Sequence, residues 1–115
     1  METAKILVVE DDADINGLLT AILKKQGYEV TSAFSGSEAG LCLQNGTYQL
    51  VLLDLMLPGI TGETLIEQIR SEYTMPILVI SAKGQEDKLN VLRMGADDFI
   101  SKPFDVEEVI ARVQA

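Results

Sequence analysis

The sequence contains no histidine, a single cysteine, and only nine lysine and arginine residues against eighteen acidic ones. The missing imidazoles exclude histidine-based acid–base catalysis and zinc sites built on histidine. A lone Cys42 cannot form an internal disulfide; it fits a reducing cytoplasm and reads as a small apolar residue on a helix. With a net charge of −9, the chain is a poor ligand for nucleic acid or an anionic membrane. Both kinds of binding need basic side chains at phosphate. Any role at DNA must therefore come from another segment or another chain. No apolar run approaches the ~20 residues of a membrane span. Met1-Glu2-Thr3-Ala4-Lys5 leads straight into a strand signal, with no apolar leader, so a cytoplasmic location is expected. Carboxylates, hydroxyls and lysines remain as the available reagents.

At 115 residues and 47% hydrophobic content, one domain spanning 1–115 is expected. Its organising stretch is Leu50-Val51-Leu52-Leu53-Asp54-Leu55-Met56-Leu57-Pro58-Gly59. Apolar residues without alternation predict a strand covered on both faces, in the middle of a parallel sheet. The strand, 50–54, ends in the Asp54 carboxylate before Pro58-Gly59 turns the chain away.

Strand and helix signals alternate along the rest of the chain. Lys5-Ile6-Leu7-Val8-Val9 is a strand closed by Glu10-Asp11-Asp12, and Ile15, Leu18, Leu19 and Ile22 carry the helical period up to Gly27. The alternating run 28–33 predicts a half-exposed edge strand. Ser35 with Glu38 predicts a capping box for a helix bearing Ala39, Leu41 and Leu43. Gly62 opens a helix with Leu65, Ile66 and Ile69 inward, and Ile77-Leu78-Val79-Ile80 is a fourth strand. A short helix over 86–94, a brief strand Asp98-Phe99-Ile100 and a last helix begun by Asp105 and Glu108 complete the chain. Five strands and five helices with short connections predict an α/β three-layer sandwich of flavodoxin-like topology. Its sheet is parallel, in the order 2-1-3-4-5.

In that order the first and third strands are neighbours, and ligands gather beyond the carboxyl ends of the strands. The first strand ends at Asp11 and Asp12, the third at Asp54, the fourth at Ser81 and the fifth at Lys102. Carboxylates this close need a cation or a raised pKa. An all-oxygen cluster suits a hard divalent ion such as Mg2+ or Mn2+. Lys102 offers a point charge for a phosphate oxygen, Ser81 a hydroxyl, and Asp54 a carboxylate able to attack phosphorus. Taken singly, each has a plainer use: Asp11 and Asp12 as helix caps, Asp54 and Ser81 as turn residues, Lys102 as a solvated charge. Together they point to phosphoryl transfer.

Ile6-Leu7-Val8-Val9-Glu10-Asp11-Asp12 and Asp54-Leu55-Met56-Leu57-Pro58-Gly59 share a pattern with Pro76-Ile77-Leu78-Val79-Ile80-Ser81-Ala82. Gly95-Ala96-Asp97-Asp98-Phe99 and Lys102-Pro103-Phe104 continue it. The set resembles the receiver (CheY-like) domain of two-component response regulators along the whole chain. The resemblance implies that Asp54 accepts phosphate from a phosphohistidine on a sensor histidine kinase. It also implies that Asp11, Asp12, Asp54 and the backbone carbonyl of Met56 hold Mg2+, that Lys102 pairs with the phosphoryl group, and that the Lys102–Pro103 bond is cis. Ser81 and Phe99 become a hydroxyl–aromatic switch, although Phe99 lacks the hydroxyl of a tyrosine and suits a plain core position equally well. Met56 and Lys83 flank the phosphate site, and Thr61 stands where many relatives carry an acidic residue.

The Gly-Ala-Asp-Asp-aromatic run and Ala111-Arg112-Val113 are similar to the OmpR/PhoB winged-helix subgroup. That similarity implies a homodimer, formed on phosphorylation through the fourth helix, fifth strand and fifth helix. Leu89, Leu92 and Ile110 would form its apolar centre, with Lys88–Glu108 and Asp98–Arg112 as its charged pairs. It also implies an output domain absent from this chain, which is then a stand-alone or an excised receiver. A phosphohydrolase of the aspartyl-phosphate type is the enzymatic alternative, but it wants an Asp where Met56 stands. A flavodoxin-like nucleotide carrier wants a glycine- or hydroxyl-rich loop where Asp11-Asp12-Ala13-Asp14 stands.

Overall fold

The alternation of strand and helix is realised over residues 3–82 and 84–115, the part of the chain that the computed structural model describes. Lys83, expected beside the phosphate site, lies outside the described residues. The strands are β1 (Lys5–Val9), β2 (Glu29–Ala33), β3 (Leu50–Leu53), β4 (Ile77–Ser81) and β5 (Asp98–Ser101). The helices are α1 (Ala13–Lys25), α2 (Gly36–Asn45), α3 (Gly62–Glu72), α4 (Gln85–Met94) and α5 (Val106–Gln114). All strands run parallel in the order β2-β1-β3-β4-β5, as the sequence predicts. No helix among the described residues is long and apolar enough to cross a membrane.

The layering follows from handedness. A right-handed crossover to one side of β1 puts its helix on one face, and a crossover to the other side puts it on the opposite face. The chain steps one way from β1 to β2 and the other way thereafter, so α1 is separated from α2, α3 and α4. Two cores result. Leu7, Val9, Leu53, Val79 and Phe99 of the strands pack with Ala39, Leu43, Leu65, Ile66, Ile69 and Val91. Ile6, Val8, Leu52, Leu78, Ile80 and Ile100 pack on the other face with Leu19, Leu23 and Val109 of α1 and α5. Strand parity alone sorts these residues, since successive side chains point to opposite faces. β2 is the half-exposed edge that its alternation predicts.

Helix phase departs from expectation at two places. The buried stripe of α1 is Asn16, Leu19 and Leu23, while Leu18 is 48% exposed. In α2 the stripe is Gly36, Ala39 and Leu43, with Leu41 61% exposed. Apolar spacing fits more than one helical face, and contact with the sheet selects between them. The caps largely follow the sequence. Ser35 accepts from the Glu38 amide at 3.1 Å, and Thr61, to which the sequence assigned no role, caps α3 by accepting from Thr64 at 3.2 Å. Asp105 caps α5, but through the Glu107 amide at 2.8 Å rather than that of Glu108.

Arg70, near the end of α3, fastens three segments. It donates to the carbonyls of Gly95 at 2.9 Å and Met75 at 2.7 Å, and to Asp97 at 2.8 Å. Asp97 also accepts from the Ile77 amide at 2.8 Å, tying the start of β4 to the turn after α4. The beginning of α3 is equally constrained. A Cβ on Gly62 would collide with the Leu55 backbone and stand 2.7 Å from the Asp54 carbonyl oxygen. Both neighbours are backbone and cannot rotate aside. Gly62→Ala should therefore lower the unfolding free energy by about 1–3 kcal/mol, the usual cost of overpacking. A urea midpoint equal to wild type would show that α3 can retreat from β3 freely.

Candidate functional site

Register decides which side chains meet at the carboxyl edge of the sheet. Val9 of β1 lies level with Ala33 and Leu53, and Ser81 of β4 lies level with Ser101. The ladder continues one step further. Glu10 donates its amide to Ala33 and Asp54 donates its amide to Val9, both at 3.0 Å. Lys102 likewise donates its amide to the Ser81 carbonyl at 2.9 Å. Glu10, Asp54 and Lys102 each stand two residues beyond Val8, Leu52 and Ile100, which share one face of the sheet. The three side chains converge for that reason.

The Lys102 ammonium lies 2.6 Å from Glu10 Oε1 and 2.9 Å from Asp54 Oδ2. Both carboxylates are buried. Asp54 Oδ1 accepts from the Met56 amide at 3.1 Å, and Glu10 Oε2 from the Asp12 amide at 3.3 Å. Asp11 completes the cluster from the solvent side. One oxygen each of Glu10, Asp11 and Asp54 lies within 4.8 Å of the others.

The acidic pair is thus Glu10 with Asp11, and not Asp11 with Asp12. Asp12 points elsewhere: its Oδ1 accepts from the amides of Asp14 at 2.9 Å and Ile15 at 3.1 Å, capping α1. Its carboxylate serves the orphan donors of the helix. Glu10 was the residue missed. Its signal was available, because an aspartate directly before a helical run is the natural cap and leaves the preceding pair for the site.

Burial is the main force on the Glu10 carboxyl, which it raises from 4.5 to about 7. The hydrogen bond from Lys102 opposes this, and the nearby Asp54 charge adds to it. Burial works against the Lys102 ammonium too, yet its bonds to Glu10 and Asp54 carry it above its ordinary value. Three carboxylates against one ammonium leave a negative, all-oxygen cleft with Asp11 open to water. That donor set fits a small hard divalent cation.

Ser81 is fully buried at the end of β4, and Phe99 is buried with Val79, Val91 and Ala96 on the α4 side of the sheet. The Met56 side chain is 60% exposed beside Asp54. The Lys102–Pro103 bond is cis. A hollow of about 680 Å³ lies instead at the opposite edge between Lys5, Tyr28 and Tyr48, away from all of these groups.

The expected dimer residues are only partly gathered. Leu89 is exposed on α4, with Lys88 and Leu92 half-buried. Arg112 pairs within its own chain, with Asp98 at 2.8 Å and Glu108 at 3.3 Å. Ile110 lies one half-turn from both Glu108 and Arg112 on α5. It lines a groove with Ala21 and Ile22 of α1, because two residues along a helix turn a side chain to the opposite flank from Glu108.

The raised Glu10 carboxyl makes stability depend on pH. The folded chain holds a proton there that the unfolded chain loses above 4.5, so the contribution is complete below that value and disappears as pH rises through about 7. Glu10→Gln cannot lose that proton and should flatten this part of the fall, seen as urea midpoints that draw together between about pH 5 and about pH 8. A variant that kept the full wild-type slope would place the titration on another group.

The response regulator receiver domain matches residues 6–114. The Francisella response regulator 1452 receiver domain is 32% identical over 97% of this chain and 94% of its own, with a TM-score of 0.92. The chemotaxis response regulator CheY4 of Vibrio cholerae is 28% identical over 98% of each chain, with a TM-score of 0.93. NtrX from Brucella abortus, solved in complex with ADP, is 34% identical over 98% of this chain but only 26% of its own, with a TM-score of 0.93. With a family match over residues 6–114 and the same fold in these relatives, the chain belongs to the response regulator receiver domain family.

Proposed function

We propose that this chain is a phosphorylation-driven switch that accepts a phosphoryl group on Asp54 from the phosphohistidine of a sensor histidine kinase. The observation that carries the reading is the Asp54 carboxylate held on Lys102, with Glu10 and Asp11 alongside. An Asp54 oxygen forms the new bond to phosphorus as the bond to the donor nitrogen breaks, and the nitrogen leaves with a proton. Phosphoryl transfer needs an in-line nucleophile and neutralisation of the equatorial oxygens. Lys102 supplies positive charge for them by moving from the carboxylate to a phosphoryl oxygen. Glu10, Asp11 and Asp54 would hold Mg2+ or Mn2+, joined by the backbone carbonyl of Met56. The ion, when bound, offsets the negative charge of the carboxylates and the incoming phosphate. The Met56 amide, bonded to Asp54 Oδ1, keeps the carboxylate oriented.

Ser81 and Phe99 are the elements we assign to the response. Ser81 ends the strand next to β3, and Phe99 lies level with Val79 on β5. A hydroxyl drawn toward the new phosphoryl group frees space that an aromatic ring can fill. The switch then shifts the populations of two packings of α4 and β5, since a ligand moves an equilibrium only by favouring one state. Output runs through protein contacts or, in an arrangement of the OmpR/PhoB type, through a DNA-binding domain outside this chain. The NtrX match, confined to about a quarter of that protein, supports the placement of receivers within longer chains. A phosphorylation-dependent homodimer would use Leu89, Leu92 and Ile110 with Lys88, and would recruit Asp98, Glu108 and Arg112 by exchanging their intrachain pairs. The fitting location is the cytoplasm.

Intact mass tests the central step. After treatment with a small phosphodonor and Mg2+, wild type should gain the mass of one phosphoryl group, whereas Asp54→Ala should gain none. Labelling of Asp54→Ala to the wild-type extent would move the acceptor to another residue and sink the assignment.

A further inference from the structure

The face that α1 presents to the sheet contains a polar exception. Of its buried residues, Leu19 and Leu23 are apolar, but Asn16 is an amide only 1% exposed. A buried amide costs free energy unless it is bonded, and this one is. Its Nδ2 donates to the Glu10 carbonyl at 3.0 Å and to the Ala33 carbonyl at 3.3 Å. Its Oδ1 accepts from Thr20 at 3.3 Å, and Thr20 shares a 3.1 Å bond with Ser32 of β2. No buried side-chain polar atom among the described residues lacks a partner. A leucine at this position would simply extend the apolar stripe. The amide ties α1 to two carbonyls, and the nearer, that of Glu10, lies where the chain leaves β1 and delivers Glu10 and Asp11 to the site.

We propose that Asn16 is a positioning residue for the Glu10–Asp11 pair, setting the cation affinity of the cleft without touching the ion. The proposal rests on the reading of a metal-dependent phosphoacceptor. Because the peptide unit is planar, fixing the Glu10 carbonyl also fixes the plane of the Glu10–Asp11 peptide bond. That plane sets the direction in which Asp11 leaves the strand. Glu10 itself is pinned on its amide side by Ala33, which also accepts from Asn16. The two carboxylates that join Asp54 are thus oriented from behind by one side chain. Groups that orient the ligands of a metal are commonly worth about 10–100-fold in affinity.

Titration calorimetry with MgCl2 on the unphosphorylated chain, paired with a urea midpoint for each variant, separates positioning from simple packing. Asn16→Leu keeps the branched shape of the side chain but has no donor, and it should raise the Mg2+ dissociation constant about tenfold or more. Thr20→Val removes the outer hydroxyl but leaves both donations of Asn16; it should keep the wild-type constant even where it lowers stability. Equal Mg2+ affinity in Asn16→Leu and wild type would overturn the proposal. So would losses in Asn16→Leu and Thr20→Val that merely track their losses of stability. If Asn16→Leu does not fold, Asn16→Ser, whose hydroxyl is too short to reach Glu10, takes its place with the same expectation. A wild-type chain that binds no Mg2+ at all would defeat the metal-dependent reading itself, whereas wild-type binding unaltered by the Asn16 variants defeats the positioning role alone.

Discussion

One ammonium group holds the carboxyl edge of this sheet together. Lys102 reaches Glu10 and Asp54 at once, joining the ends of β1, β3 and β5 across strands that are not all neighbours. Both carboxylates are buried, so their charge is poorly solvated and the cation is the main compensation available to them. The contrast with Arg112 is instructive. That side chain also bridges two carboxylates, Asp98 and Glu108, but with roughly two-fifths exposure on each partner. Exposed pairs of that kind contribute about 0–1 kcal/mol. Removing one member of a buried pair costs about 3–5 kcal/mol, because an uncompensated charge stays behind. Two ion-pair groups of similar appearance therefore do different work: one fixes the site, the other decorates a surface free to rearrange.

The arrangement stays poised because its charges do not balance. Three carboxylates face one lysine, and burial, with the Asp54 charge adding to it, lets Glu10 keep its proton until about pH 7. A proton and a divalent cation are alternative answers to the same electrostatic problem. The sheet creates that problem by register: parallel strands of four or five residues end almost level, so whatever follows each strand is brought to a common edge.

Most of this was legible in the chain itself. Unbroken apolar runs at Ile6–Val9, 50–53 and 77–80 identified the central strands, because only a strand covered on both faces tolerates them. Strand order followed from the handedness rule and short connections. What escaped was resolution at the level of one residue. Asp12 and Glu10 are both acidic and both border the first strand, and choosing between them requires knowing that the helix claims Asp12. The exposure of Leu18 and the burial of Asn16 escaped for a related reason. Hydrophobicity marks a helical face only on average, and a single satisfied amide can occupy a core position that the pattern assigns to leucine.

The close seating of α3 beneath Asp54 carries a geometric consequence. With Gly62 pressed on the main chain at Leu55 and Asp54, the Asp54 backbone has a wall at its back. Any bulk added to the carboxylate has to be accommodated forward, toward the mouth where Asp11 and the Met56 side chain meet water. On the proposed function, a phosphoryl group on Asp54 would therefore be felt first by the loops in front of the sheet and last by the core behind it.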